Sequence, residues 1–332
     1  MPSTVPSGIS PLLGSRPEPG PDRRPRPHEF LTCKLSGCCT PTGPERAPMT
    51  IARTAACATV AALLLAGCST PESRDAAADV AIRWRQTWSD EFDGAAGGRP
   101  DPAKWVYDRG GEPQWGNAEW QYYTDRTENV STDGKGHLVI SARRERVAGM
   151  SGCPYGPCDV TSGRITTLDR CEQAYGRFEA RMKIPAGRGL WPAFWLMGAN
   201  VEQRAWPGNG EIVVMETVGD DPGTVHGSAH GPGFEDPGYT EDYELDGQRL
   251  ADDFHTYAVE WTPGRISWFL DDHRYFTVDK STLKATETWV FDHPFYGLLN
   301  LAVGGTWPGP PDETTVFPAE LVVDYVRVYE QK

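Results

Sequence analysis

The sequence predicts an all-β fold, a sandwich of two sheets, from three observations. Short segments of alternating apolar and polar residues follow one another from residue 84 onward, and Gly, Pro, Asn and Asp separate them. In one such segment Phe178, Ala180 and Met182 share one face and charged residues occupy the other, as in a half-buried strand. No stretch has the periodicity of a long helix. Many short strands over a span of this length indicate one sandwich domain at residues 84–332.

The residues before this domain fall into two segments. Residues 1–48 are rich in Pro, Gly and Arg without a periodic apolar pattern, so we expect disorder there or an over-extended start of the reading frame. Met49 begins a second pattern, in which Arg53 provides a positive start to an apolar run. Because the run is too short to span a bilayer, residues 49–67 are expected to be a signal peptide.

The end of the apolar run carries a further signal. Leu65-Ala-Gly-Cys68 resembles the lipobox of bacterial lipoproteins, in which the cysteine is lipidated and becomes the mature N-terminus. The alternative is an ordinary secretory signal with an incidental cysteine. Residues 68–83 are the expected tether between lipid and domain. The protein is therefore expected to be exported, either anchored by lipid on the extracellular face of a bacterial cell membrane or secreted.

Charge argues against several classes of partner. Residues 1–67 hold seven of the 32 Lys and Arg and four of the 46 Asp and Glu, so the rest carries 25 basic and 42 acidic side chains, or −17. This balance disfavours nucleic acid, anionic lipid and polyanionic polysaccharides, and favours a neutral partner. We expect membrane contact through the lipid anchor only, and a monomeric domain.

Cysteine spacing predicts one disulfide. Cys153, Cys158 and Cys171 remain beyond the leader, which is an odd number for an exported chain. Cys153-Pro-Tyr-Gly-Pro-Cys158 encloses a small loop in which Pro and Gly favour a turn, so this pair is expected to be bridged. The alternative is a zinc site, which needs two further ligands, and none lies nearby in the sequence.

The most informative segment is Gly210-Glu-Ile-Val-Val-Met-Glu-Thr-Val-Gly219, where Glu211 and Glu216 stand in an apolar, β-branched run. An ionised carboxylate is costly to bury, so carboxylates in such a strand often face a cleft where they are used. Cleavage of a glycosidic bond requires a carboxylate pair, one to protonate the leaving oxygen and one to attack or stabilise the anomeric carbon. The alternative is a strand with one carboxylate in a cleft and the other in solvent.

Strand parity places a condition on this pair. Side chains alternate between the two faces, so Glu211 and Glu216 would point to opposite sides of a regular strand. A β-bulge near Met215 would shift the parity and bring Glu216 to the face of Glu211. The sequence therefore predicts a bulge in this strand.

Five further motifs surround the carboxylate pair: Tyr175-Gly-Arg-Phe-Glu-Ala-Arg-Met-Lys-Ile-Pro185, Gly189-Leu-Trp-Pro-Ala-Phe-Trp-Leu-Met-Gly198, His255-Thr-Tyr-Ala-Val-Glu-Trp-Thr-Pro263, Leu299-Asn-Leu-Ala-Val-Gly-Gly305 and Val323-Asp-Tyr-Val-Arg-Val-Tyr329. In this order and spacing they resemble glycoside hydrolase family 16, most closely its bacterial laminarinases (endo-1,3-β-glucanases). The four residues between the glutamates resemble laminarinases rather than lichenases, whose motif has three.

The resemblance implies a concanavalin A-like β-jelly roll with a concave substrate cleft. It implies hydrolysis of internal β-1,3-glucosidic bonds, or mixed β-1,3/1,4 bonds, in a neutral β-glucan. Glu211 would be the nucleophile and Glu216 the general acid/base of a retaining double displacement, for which no cofactor is required.

One position departs from the family pattern Glu-x-Asp-x-x-Glu, because Val213 stands where the family has aspartate. In the family that aspartate faces the cleft beside the nucleophile and helps set its ionisation, which a valine cannot do. We therefore expect fold and substrate binding to persist and hydrolysis to be impaired. The alternative is a non-catalytic β-glucan-binding surface lipoprotein, in which both glutamates would be unnecessary.

Aromatic residues form a second expected layer of the site, because pyranose rings present apolar C–H faces that stack on tryptophan. Two of them, four residues apart, share a strand face and match cleft positions of the family, and three lie in loops. Core packing is the alternative for each. The expected substrate-binding tryptophans are Trp115, Trp191, Trp195, Trp206 and Trp307, and the expected core tryptophans are Trp88, Trp261 and Trp268.

Polar side chains complete the expected site. His230 follows the catalytic strand after a turn, so the hairpin should return it beside Glu216, and it matches a cleft position of the family. The alternative is a structural histidine, which is the role expected of His226 and His255. By resemblance, the other substrate-binding positions are Asn129, Arg164 and Asn300.

A structural calcium ion is implied by the resemblance only. Family laminarinases often bind one on the convex face, through a glutamate near the N-terminus of the domain and an aspartate of the C-terminal strand. The matching residues are Glu91 and Asp324. Oxygen ligands suit calcium, and the ion would tie the two ends of the domain together.

Overall fold

The computed structural model describes residues 83–111, 114–150, 153, 158–245 and 247–332. The expectations for the signal peptide, for lipidation of Cys68 and for most of the tether fall on residues outside this part. No helix within the described ranges is long and apolar enough to cross a membrane.

Strands dominate the described residues, as the alternating pattern predicts, and the only helical turns among them are the short 3₁₀ segments Gln114–Gly116 and Lys280–Thr282. The strands are β1 (Trp84–Asp90), β2 (Val106–Tyr107), β3 (Tyr122–Tyr123), β4 (Val130–Thr132), β5 (Leu138–Arg144), β6 (Val160–Ser162), β7 (Arg164–Thr166), β8 (Glu172–Gln173), β9 (Gly176–Lys183), β10 (Leu190–Gly198), β11 (Glu211–Glu216), β12 (Thr224–Gly231), β13 (Phe234–Glu244), β14 (His255–Thr262), β15 (Arg265–Leu270), β16 (His273–Asp279), β17 (Phe295–Val303) and β18 (Ala319–Gln331).

These strands form two sheets, which confirms the predicted β-sandwich. The back sheet has ten strands in the order β16-β15-β14-β9-β18-β5-β6-β3, with β1 beside β18 and β4 beside β5. The front sheet has eight strands in the order β13-β12-β11-β10-β17-β7-β2, with β8 beside β17. Antiparallel pairing joins neighbours throughout, except between β3 and β6.

The core lies between the sheets and is built from alternate residues of each strand. Phe178 and Met182 contribute from the back sheet, and Phe194 and Leu196 from the front sheet, each at most 3% exposed. Burial of large apolar side chains of this kind contributes on the order of 1.5–3 kcal/mol each. The predicted core tryptophans are confirmed, since two are fully buried and the third packs against the core: Trp261, Trp268 and Trp88.

Strand β11, which carries Glu211 and Glu216, contains the predicted bulge. Its register with β10 and with β12 shifts after Val213, so Val214 is an extra residue in the ladder. The carbonyl of Val213 accepts a hydrogen bond of 2.7 Å from the buried indole N–H of Trp268 in the back sheet. A core tryptophan therefore satisfies a backbone group at the bulge and fixes its position.

Because of the bulge, three side chains of β11 share the face of the front sheet that points away from the core. Directly paired residues point to the same face of a sheet. Alternate residues of β10 pair with these three positions: Met197 with Glu211, Trp195 with Val213 and Ala193 with Glu216. Glu211 and Glu216 therefore lie on the same face of the sheet, as predicted from a bulge in this strand.

Cys153 and Cys158 form the predicted disulfide, with an S–S distance of 2.01 Å. This pairing excludes the alternative zinc site for the two cysteines. Cys171 is a half-buried free thiol, and burial raises its pKa to about 11.

Candidate active site

The outward face of the front sheet forms the floor of the candidate site. Glu211 and Glu216 lie there on β11, with β12 on one side and β10 and β17 on the other. Asn300 on β17 pairs with Ala193 and with Arg164 on β7, so polar groups continue across the floor. We call this face and its flanking loops the cleft.

Glu211 has positively charged and hydrogen-bonding neighbours. Its Oε2 accepts a hydrogen bond of 2.9 Å from the indole N–H of Trp206, and His230 is its direct partner on β12. Burial raises the pKa of Glu211 above its ordinary value, and the interactions with His230, with the Trp206 indole and with Arg164 offset only part of that rise. These neighbours favour the ionised form of this carboxyl group.

Glu216 has a different environment although it also has an indole donor. Its Oε2 accepts a hydrogen bond of 2.9 Å from the indole N–H of Trp191. Burial raises the pKa of Glu216 to about 7, with the Trp191 bond opposing this shift and the negative charge of Glu211 adding to it. Glu216 therefore keeps its proton at mildly acidic pH, while Glu211 is the carboxyl group with cationic neighbours. The charge of Arg164 thus acts on Glu211 and not on Glu216, which is an asymmetry that a nucleophile and a general acid would need.

Val213 lies on the same face between the two glutamates and is 4% exposed. It pairs with Trp195 on β10 and with Ser228 on β12, neither of which bonds to a glutamate. The Oε1 atom of Glu211 accepts no hydrogen bond from the described residues. Val213 supplies no hydrogen bond, so among the described residues this oxygen of Glu211 has no donor.

A cation and two aromatic rings stack beside the carboxylates. The guanidinium carbon of Arg164 lies 4.5 Å from the ring centre of Trp115 and 4.8 Å from that of Trp195. Its Nε donates to Asp108 at 2.8 Å, and the Trp195 indole donates to Asn300 Oδ1 at 2.8 Å. The structure thus brings together four of the predicted substrate-binding residues, whose contact with substrate stays a prediction.

The wall beside Glu216 is aromatic. Trp191 packs edge-on against Trp307 with ring centres 5.4 Å apart, and Trp307 is 43% exposed. His226 packs edge-on against the same Trp307 at 4.8 Å, and its Nδ1 is 2.6 Å from Asp242 Oδ1. His226, expected to be structural, therefore lies in the cleft.

The predicted place of His230 requires correction. His230 pairs with Glu211, and His226 is the residue that pairs with Glu216. Residues 217–223 connect β11 to β12, and because the two strands are antiparallel, the first residues of β12 lie opposite the last residues of β11. His230 therefore reaches the other end of the strand. The ring of His230 is held by the carbonyl of Glu235, 2.8 Å from Nδ1, and by Ser228 Oγ, 2.9 Å from Nε2.

Asn129 also requires correction, because it is fully buried and not at the surface of the cleft. Its amide oxygen accepts a hydrogen bond from Thr124, and its amide nitrogen donates to the Ser141 carbonyl and to Thr161 Oγ1. These bonds connect the residue before β4 to β5 and β6, so Asn129 holds the framework together and is not available to substrate.

A buried polar network beneath the cleft was not predicted. Glu119 is 5% exposed and accepts hydrogen bonds from Asn117, Gln121 and Tyr123, and Asn300 donates to the Tyr123 hydroxyl. Burial raises the pKa of Glu119 despite these bonds. The alternation of Glu119, Gln121 and Tyr123 is the sequence signal that would have placed them on one face.

The residues proposed to bind calcium do not fit that role. Both carboxylate oxygens of Glu91 accept hydrogen bonds from Arg327, at 3.0 and 2.7 Å, and Asp324 accepts one of 2.6 Å from Arg181. Arginine thus neutralises each carboxylate, and the Arg327 bond itself ties the N-terminal segment to β18. Within the described part of the chain, no group of three or more His, Cys, Asp or Glu could hold a metal ion.

A β-sandwich that carries two buried glutamates on one face of an aromatic cleft has the carboxylate pair of a glycoside hydrolase of the jelly-roll class. Comparison with known proteins agrees, because the sequence profile of "Glycosyl hydrolases family 16" matches residues 117–327, more than half of the chain. The chain belongs to this family.

Several relatives cover nearly the whole domain. A beta-glucanase of Rhodothermus marinus is 43% identical over 275 residues, which is 80% of this chain and 91% of the relative. The structure of an endo-beta-1,3-glucanase from Pyrococcus furiosus superposes with a TM-score of 0.71 at 42% identity, covering 76% of this chain and 96% of that one. The laminarinase catalytic domain from Thermotoga maritima gives a TM-score of 0.70 at 43% identity, covering 75% and 99%.

Proposed function

We propose that this protein hydrolyses internal β-1,3-glucosidic bonds, and mixed β-1,3/1,4 bonds, in a neutral β-glucan. The observation that carries the proposal is the pair Glu211 and Glu216 on one face of β11, with a cationic neighbour at the first only. The similarity to an endo-beta-1,3-glucanase, a laminarinase and a beta-glucanase supports the substrate class.

In the first chemical step Glu216 donates its proton to the glycosidic oxygen while Glu211 attacks the anomeric carbon. A covalent glycosyl-enzyme forms, and the reducing-end part of the glucan leaves. Glu216, now ionised, then removes a proton from water, which attacks the same carbon and releases Glu211. Two inversions leave the product with the β configuration of the substrate.

The aromatic groups along the cleft supply the binding surface for the sugar chain. Trp206 and Trp307 are 47% and 43% exposed, one at the Glu211 end of β11 and one near the Glu216 end. Exposed indole rings of this kind offer faces to pyranose C–H groups. The excess of acidic over basic residues supports a neutral polysaccharide over a polyanionic one.

The proposal is tested by measuring the release of reducing ends from laminarin. Barley mixed-linkage β-glucan and carboxymethylcellulose serve as comparison substrates. We expect release from laminarin, less from the mixed-linkage glucan and none from carboxymethylcellulose. Glu211→Gln is the matched control, because it keeps the shape of the side chain and removes the nucleophile. Laminarin that remains intact with the parent protein would contradict the proposal.

A non-catalytic β-glucan-binding role is the second candidate, and Val213 is the observation that favours it. A Beta-1,3-glucan-binding protein of Penaeus monodon is 32% identical over 174 residues, which is 44% of this chain and 47% of that protein. Both glutamates nevertheless keep an indole donor at 2.9 Å and distinct surroundings. Binding of laminarin without any release of reducing ends would support this second candidate.

The proposal also covers the localisation of the protein. We propose that the chain is exported, lipidated at Cys68 and held on the outer face of a bacterial membrane as a monomer, on the basis of the Leu65-Ala-Gly-Cys68 motif. The lipoprotein modification carries several acyl chains, and stable anchoring needs more than one. Cys68→Ser should move the protein to the soluble secreted fraction with glucan binding unchanged. A wild-type protein found in the medium with another N-terminus would contradict the anchor.

A further inference from the structure

The buried network around Glu119 connects the residues beneath the cleft to the aromatic rings beside Arg164. Glu119, Gln121 and Tyr123 are each at most 5% exposed. Oε1 of Glu119 accepts a hydrogen bond of 3.0 Å from the amide of Asn117. Oε2 accepts two bonds, from the amide of Gln121 at 2.6 Å and from the hydroxyl of Tyr123 at 3.3 Å. Burial of a carboxyl group is unfavourable, so this placement indicates a role beyond packing.

The direction of the hydrogen bonds at Oε2 of Glu119 is fixed from the two ends of the network. At one end the indole of Trp195, which can only donate, bonds to Oδ1 of Asn300 at 2.8 Å. The amide nitrogen of Asn300 therefore faces Tyr123 and donates to its hydroxyl oxygen at 3.2 Å. Because Tyr123 is fully buried, its own hydroxyl proton needs an acceptor, and Glu119 provides one.

The other end of the network gives the same direction. The backbone N–H of Val303 on β17 donates to Oε1 of Gln121 at 2.7 Å, so the amide nitrogen of Gln121 is turned toward Glu119. Both paths therefore end at Oε2 of Glu119, which has to accept from both sides. An apolar side chain at this position would leave the buried donors of Gln121 and Tyr123 without an acceptor.

Tyr123 connects this acceptor to the rings that hold Arg164. Its ring packs against Trp115 with ring centres 5.2 Å apart, and its hydroxyl bonds to Asn300, which bonds to the indole of Trp195. Trp115 and Trp195 are the two rings on which the guanidinium of Arg164 stacks. We call these three residues the Arg164 stack. One buried tyrosine therefore contacts one ring of the stack directly and the other through an amide.

The Arg164 stack is a cationic part of the cleft that acts on Glu211. The charge of Arg164 offsets part of the rise that burial causes in the pKa of Glu211. The interaction of two charges depends on their separation, and it is stronger in a site that excludes water than at an exposed surface. A displacement of the stack should therefore change how readily Glu211 acts as a nucleophile.

We propose that Glu119 is a positioning residue for the hydrolysis. Through the hydroxyl of Tyr123 it holds the Arg164 stack in the place from which the cation acts on Glu211. The inference rests on the proposed function for the reaction, whereas the orientation of the indole of Trp195 by Glu119 does not depend on any reaction. Loss of this connection should lower kcat more than it changes KM, because the stack acts on the nucleophile.

The connection itself is tested without substrate. Tyr123→Phe keeps the ring and removes the hydroxyl that joins Glu119 to Asn300. Tyr257→Phe is the matched control, because Tyr257 is buried and its hydroxyl has no hydrogen-bond partner within the described ranges. In proton NMR spectra the indole N–H signal of Trp195, assigned from Trp195→Phe, should move in Tyr123→Phe and stay in place in the control. An unmoved signal in Tyr123→Phe would overturn the inference.

Hydrolysis of laminarin tests what the connection does. Tyr123→Phe should lower kcat about tenfold and change KM less than about twofold, whereas Tyr257→Phe should match the parent. Glu119→Gln keeps one oxygen that can accept from Gln121 and Tyr123, so its kcat should stay within about threefold of the parent. Glu119→Leu has no acceptor and should lose about tenfold in kcat.

Two kinetic results would overturn the inference. One is a parental kcat in Tyr123→Phe together with a lower unfolding temperature, which shows a structural role only. The other is a loss that appears in KM alone. If Glu119→Leu does not fold, Tyr123→Phe and Glu119→Gln still decide the kinetic question. If the parent hydrolyses no glucan, the proposed function fails and the positioning role fails with it, whereas the Trp195 signal still decides whether Glu119 orients that indole.

Discussion

Glu211 and Glu216 are the same residue type on the same strand face, yet they lie in different electrostatic environments. Each carboxylate accepts one indole N–H at 2.9 Å, from Trp206 and from Trp191 respectively. Burial raises the pKa of both carboxyl groups. The difference is in the charges nearby: His230 and Arg164 offset part of the rise at Glu211, whereas the negative charge of Glu211 adds to the rise at Glu216.

The comparison shows that the surroundings of the two glutamates differ without the aspartate of the family motif. Val213 provides no charge, but cations on β12 and β7 act on one glutamate only. The proposed roles, Glu211 as the nucleophile and Glu216 as the acid, therefore rest on neighbours that the motif itself does not contain.

The largest effect should follow from removal of the nucleophile. Glu211→Ala should lower kcat on laminarin by at least about 10⁴-fold, because no covalent intermediate can form. Glucan affinity and the thermal unfolding temperature should remain close to those of the parent, which shows that the fold is intact. A variant that retains a few per cent of the parental kcat would break the assignment of Glu211.

Restoration of the motif aspartate should have the next largest effect. Val213→Asp places a carboxyl group beside the Glu211 Oε1, which has no hydrogen-bond donor among the described residues. Hydrolysis of laminarin should rise by about ten- to a thousandfold, the size expected for one positioned electrostatic group. Val213→Asn is the matched control, because its amide group can form hydrogen bonds but carries no charge. If the aspartate variant is no faster than the parent, the cationic neighbours already perform the role.

The pH dependence of kcat/KM should distinguish the two indole donors. Glu216 must be protonated to act, so the rate should fall as pH rises through about 7. Trp191→Phe removes a bond that lowers the pKa of Glu216, so the alkaline limb should move to higher pH. Trp206→Phe should move the acidic limb to higher pH, because Glu211 loses its donor. Each shift should change the rate on its limb about threefold, and a shift of the same limb in both variants would contradict the comparison.

The smallest effect concerns stability. The pKa of Glu216 is about 7 in the folded state against an ordinary value of 4.5, so unfolding is favoured increasingly as pH rises from 4.5 to 7. Glu216→Gln removes that cost, and its unfolding temperature should exceed that of the parent by roughly a few degrees at pH 8 and by nothing at pH 4. Glu320→Gln on the exposed back sheet is the control. An equal gain at both pH values would point to a packing effect.

Local features of the cleft were predictable from the sequence. The bulge followed from the spacing of Glu211 and Glu216 in an apolar strand, because a buried carboxylate needs a function or a partner. The shared face of Trp191 and Trp195 and the Cys153–Cys158 bridge followed from spacing as well, and all three features are present.

Features that depend on distant pairing were not predictable. The partner of Glu211 depends on the register of the hairpin, so His230 lies beside Glu211, and His226, expected to be structural, lies beside Glu216. Asn129 occupies a family position, yet its amide is used by Ser141 and Thr161, which no local pattern reveals. The bond between Asn300 and Tyr123 joins residues 177 positions apart, and the sequence carries no signal for it.

The assignment of roles is tested most directly by azide rescue of two alanine variants with an aryl β-laminaribioside as substrate. In Glu216→Ala the glycosyl-enzyme still forms on Glu211, and azide, which needs no base, should release it as the β-glycosyl azide. In Glu211→Ala azide should attack the substrate from the open α face and give the α-glycosyl azide. The anomeric coupling constant in the proton NMR spectrum identifies each product. The account predicts the β product from Glu216→Ala and the α product from Glu211→Ala, and the reverse result would contradict it.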